Sequence, residues 1–148
     1  DPFGTYETQR PLIGFIDVPI VAQRFAEEWF PDSPHQMTTE ALVNLGAKIA
    51  IVTLGEKGCV VSWSKGTFHY SAYPVNVVDT NGAGDAFHSG FIYGLLQGWP
   101  IGDNVRFASA VGGLACRRLG GRTALPNYEE VDSYMKEHSD QIIETQLS

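Results

Sequence analysis

Residues 79–85 have the sequence Asp-Thr-Asn-Gly-Ala-Gly-Asp, between the apolar run Val75–Val78 and an apolar segment with helical spacing, Ala86–Leu96. This order predicts a short strand, a glycine turn and a helix. N–H groups at the start of a helix have no intrahelical partner, and glycines leave no side chain between those groups and a ligand. The stretch therefore predicts an anion-binding turn at the helix start. Its residues would be Gly82, Ala83 and Gly84.

Asp85, the last residue of this stretch, places a carboxylate in the first turn of the predicted helix. Such a carboxylate commonly does no more than stabilise the helix dipole, by about 0.3–1 kcal/mol. Beside a turn suited to phosphate, it could also act as the base that takes a proton from an attacking hydroxyl. The turn would meanwhile hold the charge on a transferring phosphoryl group. The residue types alone leave both interpretations open.

Composition excludes several classes of protein. The 148 residues are 43% hydrophobic and 18% charged, which predicts one folded domain rather than a disordered chain. The net charge of −7, without a Lys/Arg stripe, argues against nucleic acid as a partner. No apolar run approaches the ~20 residues of a membrane span, and no signal peptide is evident. Cys59 and Cys116 lie in apolar runs without metal spacing, which predicts buried thiols and a cytoplasmic location.

The rest of the pattern is typical of an α/β protein. Lys48–Leu54 is rich in β-branched residues with little alternation, as in a parallel sheet covered on both faces. We expect residues 1–12 to be a connection and residues 142–148 a loose tail. The other predicted strands are Phe15–Val21, Cys59–Trp63 and Thr67–Tyr70, and the other predicted helices are Arg24–Phe30, Thr38–Gly46, one capped by Asp103 or Asn104, and one from Asn127.

A second glycine turn, residues 53–58 (Thr-Leu-Gly-Glu-Lys-Gly), follows the strand Lys48–Leu54. Open α/β sheets bind ligands at the carboxyl ends of their strands. The turn is therefore either a phosphate-binding segment or a plain connection into the next strand. The residues do not decide between these. The four histidines lack ligand spacing, and no metal is assigned to them.

Residues 79–85 resemble the C-terminal signature of the PfkB (ribokinase-like) carbohydrate kinases, Asp-Thr-x-Gly-Ala-Gly-Asp. The resemblance extends from about Ile16 to Tyr134. It implies a ribokinase-like three-layer α/β fold with a mostly parallel sheet. Because these kinases are longer, it also implies that residues 1–148 are only their C-terminal, nucleotide-binding and catalytic half. The common Asn-x-x-Glu motif is absent at residues 22–25, which, with the sequence around Phe107 and Cys116, favours the ketohexokinase-like branch.

The resemblance implies an ATP-dependent kinase that transfers a phosphoryl group to a hydroxyl of a small sugar. Asp85 would be the general base, the glycine turn the anion hole, and Mg²⁺ would bridge the phosphates of ATP. Sugar and ATP would be the partners, with a homodimer formed through the missing lid, and this fragment alone would be inactive. The residues that would bind nucleotide are Thr53, Gly55, Gly58, Asn81, Gly82 and Gly84.

The resemblance further implies a monovalent cation, usually potassium, beside the anion hole. Carbonyl and carboxylate oxygens suit such a hard cation. Ala124 stands where some family members have a serine ligand. The implied ligands are the Asp79 side chain and the carbonyls of Asn81, Ala115, Arg118 and Gly120.

Two alternatives remain beside the sugar kinase. One is a non-catalytic or truncated nucleotide-binding module, which the absence of Asn-x-x-Glu favours. Asp85 argues against it, because a base is not needed merely to bind an anion. The other is a kinase that acts on a nucleoside.

Overall fold

The chain contains both strands and helices, as the sequence pattern predicts. The computed structural model describes residues 11–121 and 123–148, so most of the predicted connection at residues 1–12 lies outside the described residues. No helix in these two ranges is both long and apolar enough to cross a membrane. The strands are β1 Ile20–Ala22, β2 Ile49–Thr53, β3 Cys59–Trp63, β4 Gly66–Tyr70 and β5 Glu144–Leu147. The helices are α1 Gln23–Trp29, α2 His35–Asn44, α3 Ala83–Leu96, α4 Ile101–Ala115 and α5 Tyr128–Glu137, with a 3-10 turn at Gly55–Lys57.

The five strands form one sheet in the order β1-β2-β3-β4-β5. β1 and β2 run parallel, with Ile20 opposite Ile51. β2 and β3 run antiparallel, with Ile49 opposite Trp63, because the short connection between them cannot return the chain to the other end of the sheet. The side chains of Ile51 and Val52 point to opposite faces and both are fully buried, so β2 is covered on both faces as predicted.

The chain divides into two compact units. The first, here called the sheet unit, contains the described residues up to Gly55 together with Cys59–His69 and Glu144–Ser148. The second, the helical unit, contains Glu56–Gly58 and Tyr70–Ile143. The predicted buried thiols are found in both, since Cys59 and Cys116 are 1% and 7% exposed.

The core of the sheet unit lies where α1 and α2 pack on β2. Trp29 of α1, Leu42 of α2 and Ala50 of β2 form one buried cluster. Helix α2 begins after Pro34 rather than at the predicted Thr38. Thr39 lies inside the helix, and its hydroxyl is satisfied there. It donates to the carbonyl of Gln36 and accepts from the hydroxyl of Ser62 in β3.

In the helical unit, α3 and α4 pack closely, as the glycines of α3 predict. A Cβ added to Gly90 would lie 3.0 Å from the Cα of Ala108, so a side chain there would force the helices apart. Phe91 is fully buried, whereas Leu95, one helical turn later in the predicted apolar segment, is 37% exposed.

The predicted start of α4 at Asp103 or Asn104 is wrong. The helix begins after Pro100, whose carbonyl accepts the N–H of Asn104 at 3.0 Å. Asp103 lies in the first turn and Asn104 is buried against α3. The predicted final helix is confirmed, because Asn127 and Glu130 form a capping box at the start of α5.

Three further predictions about strands differ from the structure. Phe15 is 87% exposed, and β1 covers only Ile20–Ala22. The carbonyls of Asp17 and Pro19 nevertheless accept N–H groups of Ile49 and Ile51 in β2. Residues 75–78 form no strand, because the N–H of Val78 donates to the carbonyl of Cys116 at the end of α4. The predicted loose tail contains β5, which pairs along the edge of the sheet.

Candidate active site

Asp79 fixes the start of the glycine turn. Its Oδ1 accepts the N–H of Asn81 at 2.9 Å, and its Oδ2 accepts the N–H of Gly120 at 2.9 Å. These bonds, first that from Gly120 and then that from Asn81, stabilise the carboxylate and hold the pKa of Asp79 below its ordinary value. The N–H of Asp79 donates to the carbonyl of Cys116. Asp79 thereby joins residues 79–82 to the loop that follows α4.

Gly82 is the residue before α3 and has no room for a side chain. Its backbone is left-handed, with φ +80° and ψ 0°. A Cβ on Gly82 would lie 3.0 Å from the Cα of Gly121, and a Cβ on Gly121 would lie 3.1 Å from the carbonyl oxygen of Asn81. The turn and the loop after α4 therefore pack backbone against backbone.

The first turn of α3 presents two N–H groups that no other described residue uses. Ala86 makes the first helical bond, to the carbonyl of Gly82 at 2.9 Å. Ala83 donates to the carbonyl of Thr80 at 3.1 Å, so its N–H is already engaged. Within residues 11–121 and 123–148, the N–H groups of Gly84 and Asp85 have no hydrogen-bond acceptor. They are the donors that this turn can offer an anion.

Gly84 and Asp85 lie on the accessible side of this turn. A Cβ on Gly84 would meet nothing within 4 Å. The side chain of Asp85 is exposed, so its carboxylate stands in the same helical turn as the two available N–H groups. The sequence predicted the carboxylate of Asp85 and the N–H groups of Gly82, Ala83 and Gly84, but the N–H of Ala83 is engaged by Thr80. It did not predict the N–H of Asp85, although the third position of a helix is always without an intrahelical acceptor.

The structure brings together three members of the predicted cation site. Asp79 bonds to the N–H groups of Asn81 and Gly120, and the carbonyl of Gly120 accepts a bond from the Thr123 hydroxyl at 3.3 Å. The other two predicted ligands are carbonyls at the end of α4 (Ala115) and in the loop that follows it (Arg118). Within the described residues, no three His, Cys, Asp or Glu side chains cluster as a metal site. Arg122 of this loop lies outside the described residues.

The second glycine turn has its own local geometry. Thr53 ends β2, and its hydroxyl donates to the carbonyl of Val21 at 3.4 Å. Gly55 has φ +61° with nothing within 4 Å of an added Cβ, whereas Gly58, with φ +89°, would place a Cβ 1.9 Å from the carbonyl oxygen of Tyr70. Gly58 is therefore required by packing alone. Gly55 has no such packing requirement, and its predicted role in nucleotide binding stays a prediction.

The sheet packed against helices defines an α/β protein, and the start of α3 presents two N–H groups that have no acceptor among the described residues. A family model for pfkB family carbohydrate kinases matches residues 1–128. The chain belongs to this family.

Two relatives show how far the similarity extends. The chain is 33% identical over 124 residues to an ATP-dependent 6-phosphofructokinase of Thermoanaerobacterium thermosaccharolyticum, covering 84% of this chain and 38% of the relative. It is 35% identical over 103 residues to the aminoimidazole riboside kinase of Salmonella typhimurium, covering 66% and 32%. The chain thus spans less than half the length of the curated relatives it matches.

Solved structures confirm the ribokinase-like α/β fold. Thermotoga maritima ribokinase matches with a TM-score of 0.80 and 27% identity, over 86% of this chain and 44% of the other. Vibrio cholerae fructokinase, solved with fructose, ADP and calcium, matches with a TM-score of 0.77 and 29% identity, over 86% and 44%. These relatives differ in the substrates that their names give, so membership of the ketohexokinase-like branch stays a prediction.

Proposed function

We propose that residues 1–148 are the nucleotide-binding and catalytic part of an ATP-dependent kinase that phosphorylates a hydroxyl of a small sugar. One observation carries the proposal. The exposed carboxylate of Asp85 shares a helical turn with two N–H groups, of Gly84 and Asp85, that have no hydrogen-bond acceptor among the described residues. A base and an anion-stabilising turn in one place are what phosphoryl transfer to a hydroxyl requires.

The roles of the residues follow from this arrangement. The acceptor hydroxyl gives its proton to the carboxylate of Asp85 as its oxygen bonds to the γ-phosphorus of ATP. The bond between that phosphorus and the bridging oxygen breaks, and ADP leaves with the electron pair. The N–H groups of Gly84 and Asp85 stabilise the charge on the passing phosphoryl oxygens. Gly82 and Asp79 hold the turn in shape.

Magnesium fits this chain only as a partner of the nucleotide. Mg²⁺ keeps several waters and usually needs only one or two carboxylates beside phosphate oxygens. The absence of a cluster of three acidic, His or Cys ligands among the described residues agrees with that mode of binding. When bound with ATP, Mg²⁺ supplies neutralisation of charge on the β- and γ-phosphates.

A monovalent cation near Asp79 is a further part of the proposal. Each oxygen of the Asp79 carboxylate accepts one N–H and retains capacity for another contact. The carbonyls of Asn81, Ala115, Arg118 and Gly120 are the remaining proposed ligands. Initial rates of the full-length enzyme in potassium and in sodium, at equal ionic strength, test this. Equal rates would remove the cation from the proposal.

The acceptor is proposed as a sugar, and a nucleoside-like acceptor is the second candidate. The similarity to an aminoimidazole riboside kinase, at 35% identity, favours including ribosides. A panel of hexoses, pentoses, sugar phosphates and nucleosides, assayed by ADP release from the full-length protein, separates these acceptors.

Asp85→Asn in the full-length protein tests the catalytic role. The amide keeps the size of the side chain but cannot take the hydroxyl proton, so kcat should fall by at least about 10²-fold. ATP affinity should be retained or rise, because a negative charge near the phosphates has been removed. The measurements are kcat on the acceptor panel, ATP titration and a melting curve.

Asp103→Asn provides a matched control. Asp103 is also an exposed acid in the first turn of a helix, here α4. Its replacement should leave kcat unchanged. If Asp85→Asn retains more than about a tenth of the wild-type kcat, short of the range of general-base catalysis, Asp85 is only a first-turn acid.

A further inference from the structure

The imidazole of His88 contacts the turn that carries the proposed chemistry. Its Nδ1 lies 2.7 Å from the carbonyl oxygen of Gly84, one helical turn earlier. A carbonyl oxygen only accepts hydrogen bonds, so Nδ1 carries the proton and donates it to Gly84. Among the roles assigned so far in this turn, none uses the His88 side chain.

The peptide group that His88 contacts carries one of the two N–H groups proposed to bind phosphate. The carbonyl of Gly84 and the N–H of Asp85 belong to the same amide. A hydrogen bond to the carbonyl polarises that amide and strengthens its N–H as a donor, by roughly 10–30% per bond. The N–H of Asp85 is one of the two donors without an acceptor among the described residues.

We propose that His88 is a positioning residue for phosphoryl transfer. Its Nδ1–H bond fixes and polarises the peptide between Gly84 and Asp85. The Asp85 N–H therefore holds the transferring phosphoryl group more strongly, and the backbone that carries the Asp85 carboxylate keeps its orientation. This inference rests on the proposed kinase function and adds a residue to it.

Ser89 supplies an internal comparison. Its hydroxyl donates to the carbonyl of Asp85 at 2.8 Å, which is the same kind of bond one residue later. The N–H of that next peptide belongs to Ala86 and already donates to Gly82 within the helix. The Ser89 bond therefore polarises an N–H that no ligand reaches. Ser89→Ala is the matched control for the loss of the His88 bond.

Substitutions at His88 separate the hydrogen bond from other effects of the ring. His88 lies three residues after Asp85, so a charge on its ring could also act directly on the carboxylate. Asparagine places an amide N–H₂ near the position of Nδ1, and glutamine places it near Nε2. His88→Asn should therefore retain the bond to Gly84. His88→Gln and His88→Leu should lose it.

The experiment measures kcat, the KM values for ATP and acceptor, and melting curves for these variants of the full-length protein. His88→Leu and His88→Gln should lower kcat by roughly two- to eightfold. One oxyanion donor contributes about 10²–10³ in kcat, and the lost polarisation should remove about 10–30% of that contribution on a logarithmic scale. The KM for the acceptor should stay within about twofold. His88→Asn and Ser89→Ala should keep the wild-type kcat. Ring nitrogen shifts in ¹⁵N NMR should show His88 protonated at Nδ1.

Three results would overturn the inference: a wild-type kcat in His88→Leu, an equal loss in Ser89→Ala, or no difference between His88→Asn and His88→Gln. The proposed role of Asp85 as the general base fails separately, if Asp85→Asn remains active. If no acceptor supports turnover, the ATP affinity of each variant is measured by calorimetry instead. His88→Leu and His88→Gln should then bind ATP more weakly than His88→Asn and Ser89→Ala. Equal ATP affinities in all four variants would reject the role of His88.

Discussion

The two glycine turns of this protein look alike in sequence but are constrained differently. Each contains one glycine whose neighbours leave no room for a Cβ atom, here called closed. Each also contains one with free space around that position, here called open. Gly58 is closed by the carbonyl of Tyr70, at 1.9 Å from an added Cβ, and Gly82 by the backbone of Gly121, at 3.0 Å. Around Gly55 and Gly84 an added Cβ would meet nothing within 4 Å.

The comparison separates two kinds of glycine. At Gly58 and Gly82 the fold has no room for a side chain, whereas at Gly55 and Gly84 the fold would accommodate one. Packing alone accounts for glycine at Gly58 and Gly82, whether or not a ligand binds. Gly84 is helical and open, so in a helix alanine would serve the fold at least as well. A glycine at such a position is explained by the close approach of a ligand, and the proposed phosphate contact supplies that ligand.

The largest expected effect is on folding, from Gly58→Ala. The added methyl group overlaps the carbonyl of Tyr70, and the left-handed backbone adds strain, so we expect a loss of about 3–5 kcal/mol in the free energy of unfolding. Denaturant titration of the full-length protein measures it. A loss below about 1 kcal/mol would show that the chain around Tyr70 yields easily and that Gly58 is not closed.

An intermediate effect is expected from Gly82→Ala. The left-handed backbone and the close contact with Gly121 should together cost about 1–3 kcal/mol of stability, and the displaced turn should weaken ATP binding. Gly98→Ala is the control, because Gly98 also has a positive φ, +71°, but nothing within 4 Å of an added Cβ. Equal destabilisation by the two substitutions would assign the whole cost at Gly82 to backbone strain and would remove the packing contribution.

The smallest effect on stability is expected from Gly84→Ala. Since alanine is the better helix former and the site is open, stability should stay constant or rise by about 0.5–1 kcal/mol. ATP affinity or kcat should nevertheless fall, because the methyl group stands where phosphate is proposed to approach. Thermal melting and ATP titration test both parts. A stabilised variant with unchanged ATP affinity and kcat would break the comparison, since the open glycine would then have no ligand to explain it.

Local segments of the sequence predicted most of the elements and the central motif. The cores of β2, β3, α4 and α5 are confirmed, because hydrophobic spacing and capping residues act over a few neighbours. The pfkB family membership also follows from a contiguous signature. The errors at residues 75–78 and 144–147 have a common cause: a backbone bond to Cys116 in one case and strand pairing in the other connect residues far apart in sequence.

The sequence by itself determined that this protein has an α/β fold, with a glycine turn before a helix and an acid at the third helical position, because these features are local. Only the tertiary structure decided which groups of that turn are available. Thr80 engages the N–H of Ala83, and Gly121 closes the space at Gly82. One oxygen of Asp79 accepts the N–H of Gly120 in the loop after α4, and the other accepts the N–H of Asn81, which determines the shape of the turn. The physical reason is that steric closure and hydrogen-bond saturation depend on which distant backbone segments folding brings together.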